Sequence, residues 1–309
     1  MYANEAKTSE IDPEHYSYRF TWLHLFRPMT LTGTITPALV GTALAAQNGH
    51  IRLDLFFAYL MAVLLIQATT NMLNDYFDFK HGQDQEKWIS LDEPGYGNGP
   101  HYHSIPFAAA AMILMAALIG VWLAAQSSYW IILVGALGII FGYFYSAGPY
   151  PLSSLGLGEL VAAVFLGFVS TSLPYVIQGH PFDSHIFIVA LTFALLISSL
   201  ILTNNIRDMA KDLPFRRTIA IRIGRIKASR LLFGLLLFVY IWMFVLMIIG
   251  AIPWIAAGVL LASPLAYRLA WSLRPGSKRE DEIKGMKLAA QHHWAFGLLF
   301  AACLWITIL

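Results

Sequence analysis

Apolar runs of roughly 20 residues recur along this chain, separated by short polar stretches, and that is the length an α-helix needs to cross a hydrocarbon core. The pattern predicts nine spans, at about 26–47, 54–76, 105–125, 129–147, 155–178, 185–207, 230–250, 252–271 and 289–308. The turns after the third and seventh spans are brief; the connections after the second, sixth and eighth are long. The chain therefore reads as an all-α membrane protein, with a polar segment at 1–25 followed by a single transmembrane domain at 26–309. Its first 20 residues lack the apolar centre of a cleavable signal, so the first span is expected to stay as an anchor.

Composition sharpens this picture. Charged residues make up 12% of the 309, hydrophobic ones 58%, and mean hydropathy is +0.61; a soluble domain carries about 25% charged residues. Of the 20 Lys and Arg, all but Arg52 fall on the side of the predicted membrane that holds the N-terminus. Short cytoplasmic loops retain such residues, so a multi-pass cell-membrane protein with a cytoplasmic N-terminus and an external C-terminus is expected. The lone cysteine, Cys303, rules out an internal disulfide and a Cys-built metal site. Histidine clusters at His101-Tyr102-His103 and His292-His293 without a repeated metal spacing, which argues against haem ligation.

Where two of the apolar runs end, the chain concentrates its acids and amides: Asn71-Met72-Leu73-Asn74-Asp75-Tyr76-Phe77-Asp78 and Asn204-Asn205-Ile206-Arg207-Asp208-Met209-Ala210-Lys211-Asp212. Carboxylates at membrane depth are costly unless they are paired, metal-bound or facing water. Residues three or four apart share a helix face, so Asn71, Asn74, Asp75 and Asp78 form one polar stripe. Asn204 or Asn205, Asp208 and Asp212 form a second on the same side of the membrane. Together the stripes supply hard oxygen ligands of the kind Mg²⁺ accepts alongside water and substrate phosphate. The following loop adds Lys211, Arg216, Arg217 and Arg222, of which Lys211 and Arg217, nearest the acidic stripe, are the expected phosphate partners. An aromatic turn with Tyr143 and Tyr145 can shield a carbocation or belong to an interfacial belt. Glu159 fits a belt poorly and is expected to orient a basic residue or to help bind an acceptor.

These residues together resemble the UbiA-type family of intramembrane aromatic prenyltransferases, and within it the 1,4-dihydroxy-2-naphthoate polyprenyltransferase branch. Arg27-Pro28 with Thr30-Leu31 looks like the family's opening motif. Asn74 to Asp84 looks like its first aspartate-rich motif, Tyr145 to Glu159 like its Gly-Pro turn and Leu-Gly-Glu segment, and Asn204 to Asp212 with Arg217-Thr218-Ile219-Ala220 like its second motif and sequel. The resemblance implies nine helices around a lipid-open central cavity under cytoplasmic cap loops. It implies Mg²⁺ as cofactor, with Asp75, Asp78, Asp208 and Asp212 holding the metal–diphosphate and carrying the catalysis, assisted by Asn71, Asn74 and Asn205. Lys211 and Arg217 would hold phosphates, and Arg27 would contact the acceptor or its cap. The implied partners are a polyprenyl diphosphate, an aromatic acceptor and membrane lipid, with no nucleic acid. The implied reaction transfers the prenyl chain to dihydroxynaphthoate with loss of carbon dioxide, giving demethylmenaquinone.

Two departures from the family pattern stand out. The loop from Trp88 to His103 carries no Lys or Arg, leaving His101 or His103 for any anion contact there, and Pro214-Phe215 replaces glycines before the basic residues. Two alternatives also stay open: another acceptor, such as 4-hydroxybenzoate, homogentisate or a different naphthoate, and a cation-coupled transporter, which would place its sites near the bilayer midplane.

Overall fold

The computed structural model describes residues 13–92 and 99–308; residues 1–12 of the polar N-terminal segment, and 93–98 of the unusual loop, lie outside the described residues. Among the described residues, helices occupy every one of the apolar windows. They are α1 (Trp22–Phe26), α2 (Thr32–Ala46), α3 (Leu53–Lys80), α4 (Ser104–Gln126), α5 (Trp130–Phe144), α6 (Gly158–Ile177), α7 (Ser184–Arg207), α8 (Met209–Asp212), α9 (Ile219–Ile223), α10 (Arg225–Ile248), α11 (Trp254–Ser272) and α12 (Arg279–Ile306). Six of these are long and apolar enough to cross a membrane, seven if the pair Trp22–Thr30 and Thr32–Ala46, bent by 49°, is one span. Helix α5 has only 15 residues, about 22 Å at 1.5 Å per residue against roughly 30 Å of hydrocarbon. Helix α12 begins with Arg279-Glu280-Asp281-Glu282, so its apolar part starts well inside it.

The expectation of a purely helical chain needs one correction. Tyr16–Tyr18 (β1) pairs antiparallel with Trp88–Ser90 (β2), Tyr18 opposite Trp88, and Ser17 also bridges to His101. Three residues are too few to register as an alternating pattern, yet Tyr-Ser-Tyr suits a strand once a partner is present. Residues 16–18 thus form a strap through the first cap loop, flanked by 88–90 on one side and 100–102 on the other.

Proline and small residues shape the helices around the interior. Pro174 in α6 cannot donate to the preceding turn; the helix widens into a π-turn over Ala163–Val169, and Ser170 and Thr171 donate to the carbonyls of Phe165 and Gly167. Gly167 lies so close to α7 that a Cβ there would sit 2.4 Å from the Ala194 backbone. The first and last long helices meet as a seam, where a Cβ on Gly297 would lie 2.3 Å from Thr36.

Candidate active site

Helix α3 runs unbroken through the first motif and stops at Gly82, whose φ of +81° ends the helix. Because the helix is continuous, Asn71, Asn74, Asp75 and Asp78 do share a face. Asp75 is 1% exposed and accepts at Oδ1 from Arg27 (2.6 Å) and Lys87 (2.7 Å), and at Oδ2 from the Tyr18 hydroxyl (3.2 Å). Arg27 also donates to Asn74 Oδ1 (2.8 Å), and Asn74 donates to Ser146 (3.0 Å). Asn71 donates to the Phe26 carbonyl and to Thr30, so its amide oxygen is the end left toward a ligand.

The second motif is not one stripe. Helix α7 stops at Arg207, Asp208 forms the joint at φ −100° and ψ 8°, and α8 restarts at Met209. The two aspartates stay one turn apart, the Asp212 N–H donating to the Asp208 carbonyl (2.8 Å), but their carboxylates take different partners. Asp208 pairs with Arg207 (2.5 Å) and Arg279 (3.9 Å), while Asp212 turns toward Arg216, 4.0 Å away. Arg216 joins the motifs: its Nη2 meets Asp78 at 2.7 Å and its Nε donates to Gln83. Asn205 donates to Glu159 (2.7 Å), whose second carboxylate oxygen is buried without a partner. Glu159 therefore orients an amide rather than a basic residue.

The expected phosphate cations lie differently from their sequence reading. Lys211 is held by Asp84 and Glu86 of the first cap loop, and Arg217 folds onto the carbonyls of Leu213 and Arg216 at the surface. Arg216, with 13% of its side chain exposed, takes the inner position. The signal for it was present: Arg216 is four residues after Asp212, one turn along the same face. Tyr18 and Lys87 had no comparable signal, and Asp84 had one only as the last residue of the first motif. Tyr145 lines the cavity, whereas Tyr143 packs edge-on to Phe77 and stays outside the lining.

That cavity encloses about 1530 Å³ of space free of protein atoms, its open mouth included. Arg27, Asn74, Asn205 and Arg216 stand at one end and Tyr59 and Leu173 toward the other. Along α3, Asn74 and Tyr59 are about 22 Å apart at 1.5 Å per residue. Between them the wall is largely apolar, with Gly135, Gly138 and Gly142 of α5 along one side.

Electrostatics fits a cation at the polar end. Burial pushes Asp212 up to about 6; Arg216 opposes that rise, and the nearby charges of Asp208, Asp78 and Asp84 add to it. A divalent ion would relieve this crowding. Among the described residues, no three of His, Cys, Asp and Glu stand close enough to hold a metal by themselves. That suits Mg²⁺, which takes one or two carboxylates and completes its shell with water and phosphate.

Asp84, in a left-handed turn at φ +53°, links the cap loops through Lys87 and Lys211. Burial opposes its charge, but Lys87 and Lys211 outweigh it and hold the carboxyl at about 2 against a usual 3.8. A depressed carboxyl stabilises the fold above its unfolded value and loses that contribution as pH falls through the folded one. Thermal melting between pH 5 and pH 2 is expected to show a loss of about 2 kcal/mol that Asp84→Asn lacks.

A helical membrane protein with a cluster of acids, amides and arginines at one end of an apolar cavity is the class that this geometry defines. The model of the UbiA prenyltransferase family matches residues 34–291, and the chain belongs to that family. It is an enzyme, a prenyltransferase. It is 34% identical to the 1,4-dihydroxy-2-naphthoate octaprenyltransferase of Bacillus subtilis, over 92% of this chain and 91% of that protein. The protein of the same name from Mycobacterium tuberculosis is 33% identical, over 82% and 86%. The fold is similar to that of a UbiA homologue from Archaeoglobus fulgidus bound to DMAPP and Mg²⁺, with a TM-score of 0.65 at 15% identity, covering 94% of this chain and 99% of the other. Membership of an enzyme family removes the transporter alternative.

Proposed function

We propose that this enzyme transfers a polyprenyl chain from its diphosphate to 1,4-dihydroxy-2-naphthoate with loss of carbon dioxide, in a site formed by Arg27, Asp75, Asp78, Asp212 and Arg216. The observation that carries the reading is the pair of guanidinium groups, Arg27 and Arg216, at the polar end of a long apolar cavity, each holding a carboxylate, Asp75 and Asp78, just behind the lining. The names of the two bacterial relatives support the acceptor. The nine spans expected from the sequence each cross the cell membrane in this reading, as one domain over 26–309, and the distribution of Lys and Arg supports a cytoplasmic site.

Mg²⁺ would take one or two carboxylates from among Asp75, Asp78 and Asp212, with the amide oxygens of Asn71 and Asn205 to assist; Asp208, turned toward Arg207 and Arg279, would support the second motif from behind. Bound there, Mg²⁺ supplies charge neutralisation for the diphosphate leaving group. Arg27, kept on Asp75 Oδ1, would turn its remaining N–H groups to phosphate oxygens, and Arg216 would exchange Asp78 for phosphate, a forked geometry that guanidinium provides. Lys211, and Arg217 at the rim, add positive potential at the entrance. The apolar walls keep water from the allylic carbon as its C–O bond breaks, and Tyr145 turns a polarizable ring toward that space. A new C–C bond then forms at the ring carbon bearing the carboxylate, which leaves as carbon dioxide. The electron pair it leaves restores the aromatic diol, the reduced form of demethylmenaquinone. No strong protein base is required.

The test is incubation of purified protein with Mg²⁺, a labelled polyprenyl diphosphate and a panel of aromatic acceptors. Product is expected with dihydroxynaphthoate, with carbon dioxide released from a carboxyl-labelled acceptor. No product with any acceptor, from folded protein, overturns the reading; product with a different acceptor alone overturns its naphthoate part.

Tail length follows from the cavity wall. No atom lies within 4 Å of a Cβ built on Gly135, so a side chain there would enter the cavity without displacing protein. Gly135→Leu is expected to lower kcat/KM for long donors about tenfold relative to DMAPP, measured by competing donors of different length.

A further inference from the structure

The N-terminal strap does more than cover the site. Tyr18 donates its backbone N–H to the Pro100 carbonyl (2.9 Å), and Arg19 donates to that of Lys87 (2.8 Å). Gly99 makes the approach possible, since a Cβ there would lie 1.7 Å from the Tyr18 carbonyl oxygen. The Tyr18 ring is 4% exposed and sits edge-on to Trp88 with centroids 5.4 Å apart. This fixes where its hydroxyl points, which is at Asp75 Oδ2, 3.2 Å away.

A carboxylate offers about four lone-pair sites. Arg27 and Lys87 occupy Oδ1 and Tyr18 occupies one side of Oδ2, which leaves the other side of Oδ2 without a hydrogen bond among the described residues. We propose that Tyr18 is a positioning residue for the reaction: the strap aims the remaining lone pair of Asp75 at the divalent cation that accompanies the diphosphate. The proposal rests on the reading of Asp75 as a metal ligand. Outer partners of this kind orient metal ligands, and their loss commonly weakens metal binding about tenfold or more.

The test uses the full-length protein and two readouts: Mn²⁺ binding in the presence of inorganic diphosphate, followed by electron paramagnetic resonance, and the Mg²⁺ dependence of turnover. Tyr18→Phe keeps the ring and removes the donor. It is expected to weaken Mn²⁺ binding roughly 5- to 10-fold and to raise the Mg²⁺ half-saturation in step, with kcat at saturating Mg²⁺ and the melting temperature preserved. Tyr16→Phe, on the same strap, is expected to bind Mn²⁺ as the unaltered protein does. In an Asp75→Asn background Tyr18→Phe is expected to add nothing, because the two act as one unit. Unchanged Mn²⁺ affinity in Tyr18→Phe overturns the proposal, as does equal weakening in both backgrounds. An affinity loss matched by collapse of the melting transition also counts against it, since the phenol would then be structural. If Asp75→Asn itself leaves Mn²⁺ binding unchanged, the metal-site reading falls and takes the proposal with it. An effect of Asp75→Asn with none of Tyr18→Phe overturns the strap's role alone.

Discussion

Asp75→Asn is expected to reduce kcat/KM for prenyl transfer by about 10³-fold while leaving the protein folded enough to purify and melt. The substitution keeps the shape of a side chain that is 1% exposed but removes the charge that both Arg27 and Lys87 engage. Preorganised electrostatic groups aimed at developing charge are worth roughly 10² to 10³ each, and Asp75 combines such a role with orienting two cations. Steady-state rates across a Mg²⁺ series measure the effect. Activity within tenfold of the unaltered enzyme would remove Asp75 from the machinery.

Arg216→Met is expected to cost about 100-fold in kcat/KM, roughly 2.7 kcal/mol of transition-state stabilisation, whereas Arg217→Ala is expected to stay within about threefold. Met retains the apolar stem and deletes the fork that reaches Asp78 and Gln83. Without it Asp78 and Asp212 face each other with no cation between them, and a diphosphate loses one grip. The Arg217 guanidinium hydrogen-bonds carbonyls of its own loop, and its backbone bond to the Ser154 carbonyl survives truncation to Ala, so the substitution leaves the joined motifs in place. Parallel kinetics on the two variants decide which arginine belongs to the site; a reversed order would show that the loop rearranges when substrate binds.

The first motif was legible in the sequence because α3 is one unbroken helix: the spacing of Asn71, Asn74, Asp75 and Asp78 carries directly into a shared face. The second motif was legible only in part. Helical spacing assumes continuity, and the joint at Asp208 redirects that carboxylate toward Arg207 and Arg279 and turns Asp212 toward Arg216. The choice of Lys211 and Arg217 as inner cations followed nearness along the chain, and the turn through Pro214 does not preserve nearness in space. Glu159 stood out as a misplaced charge, but that its partner is Asn205 depends on how α6 packs against α7. Tyr18 is the extreme case, because its contact with Asp75 spans 57 positions and rests on a strand pairing three residues long.

The seam between α2 and α12 has a consequence for how the protein is made. Thr36 meets Gly297 and lies 3.5 Å from His293, so the first long helix to enter the bilayer waits for the last one before its hydroxyl-bearing face is covered. Until the ribosome has released that final segment, Thr32 and Thr36 satisfy their side chains only within their own helix or through transient neighbours. A chain stopped ahead of the seam would thus keep the Thr36 face of α2 without its Gly297 and His293 partners.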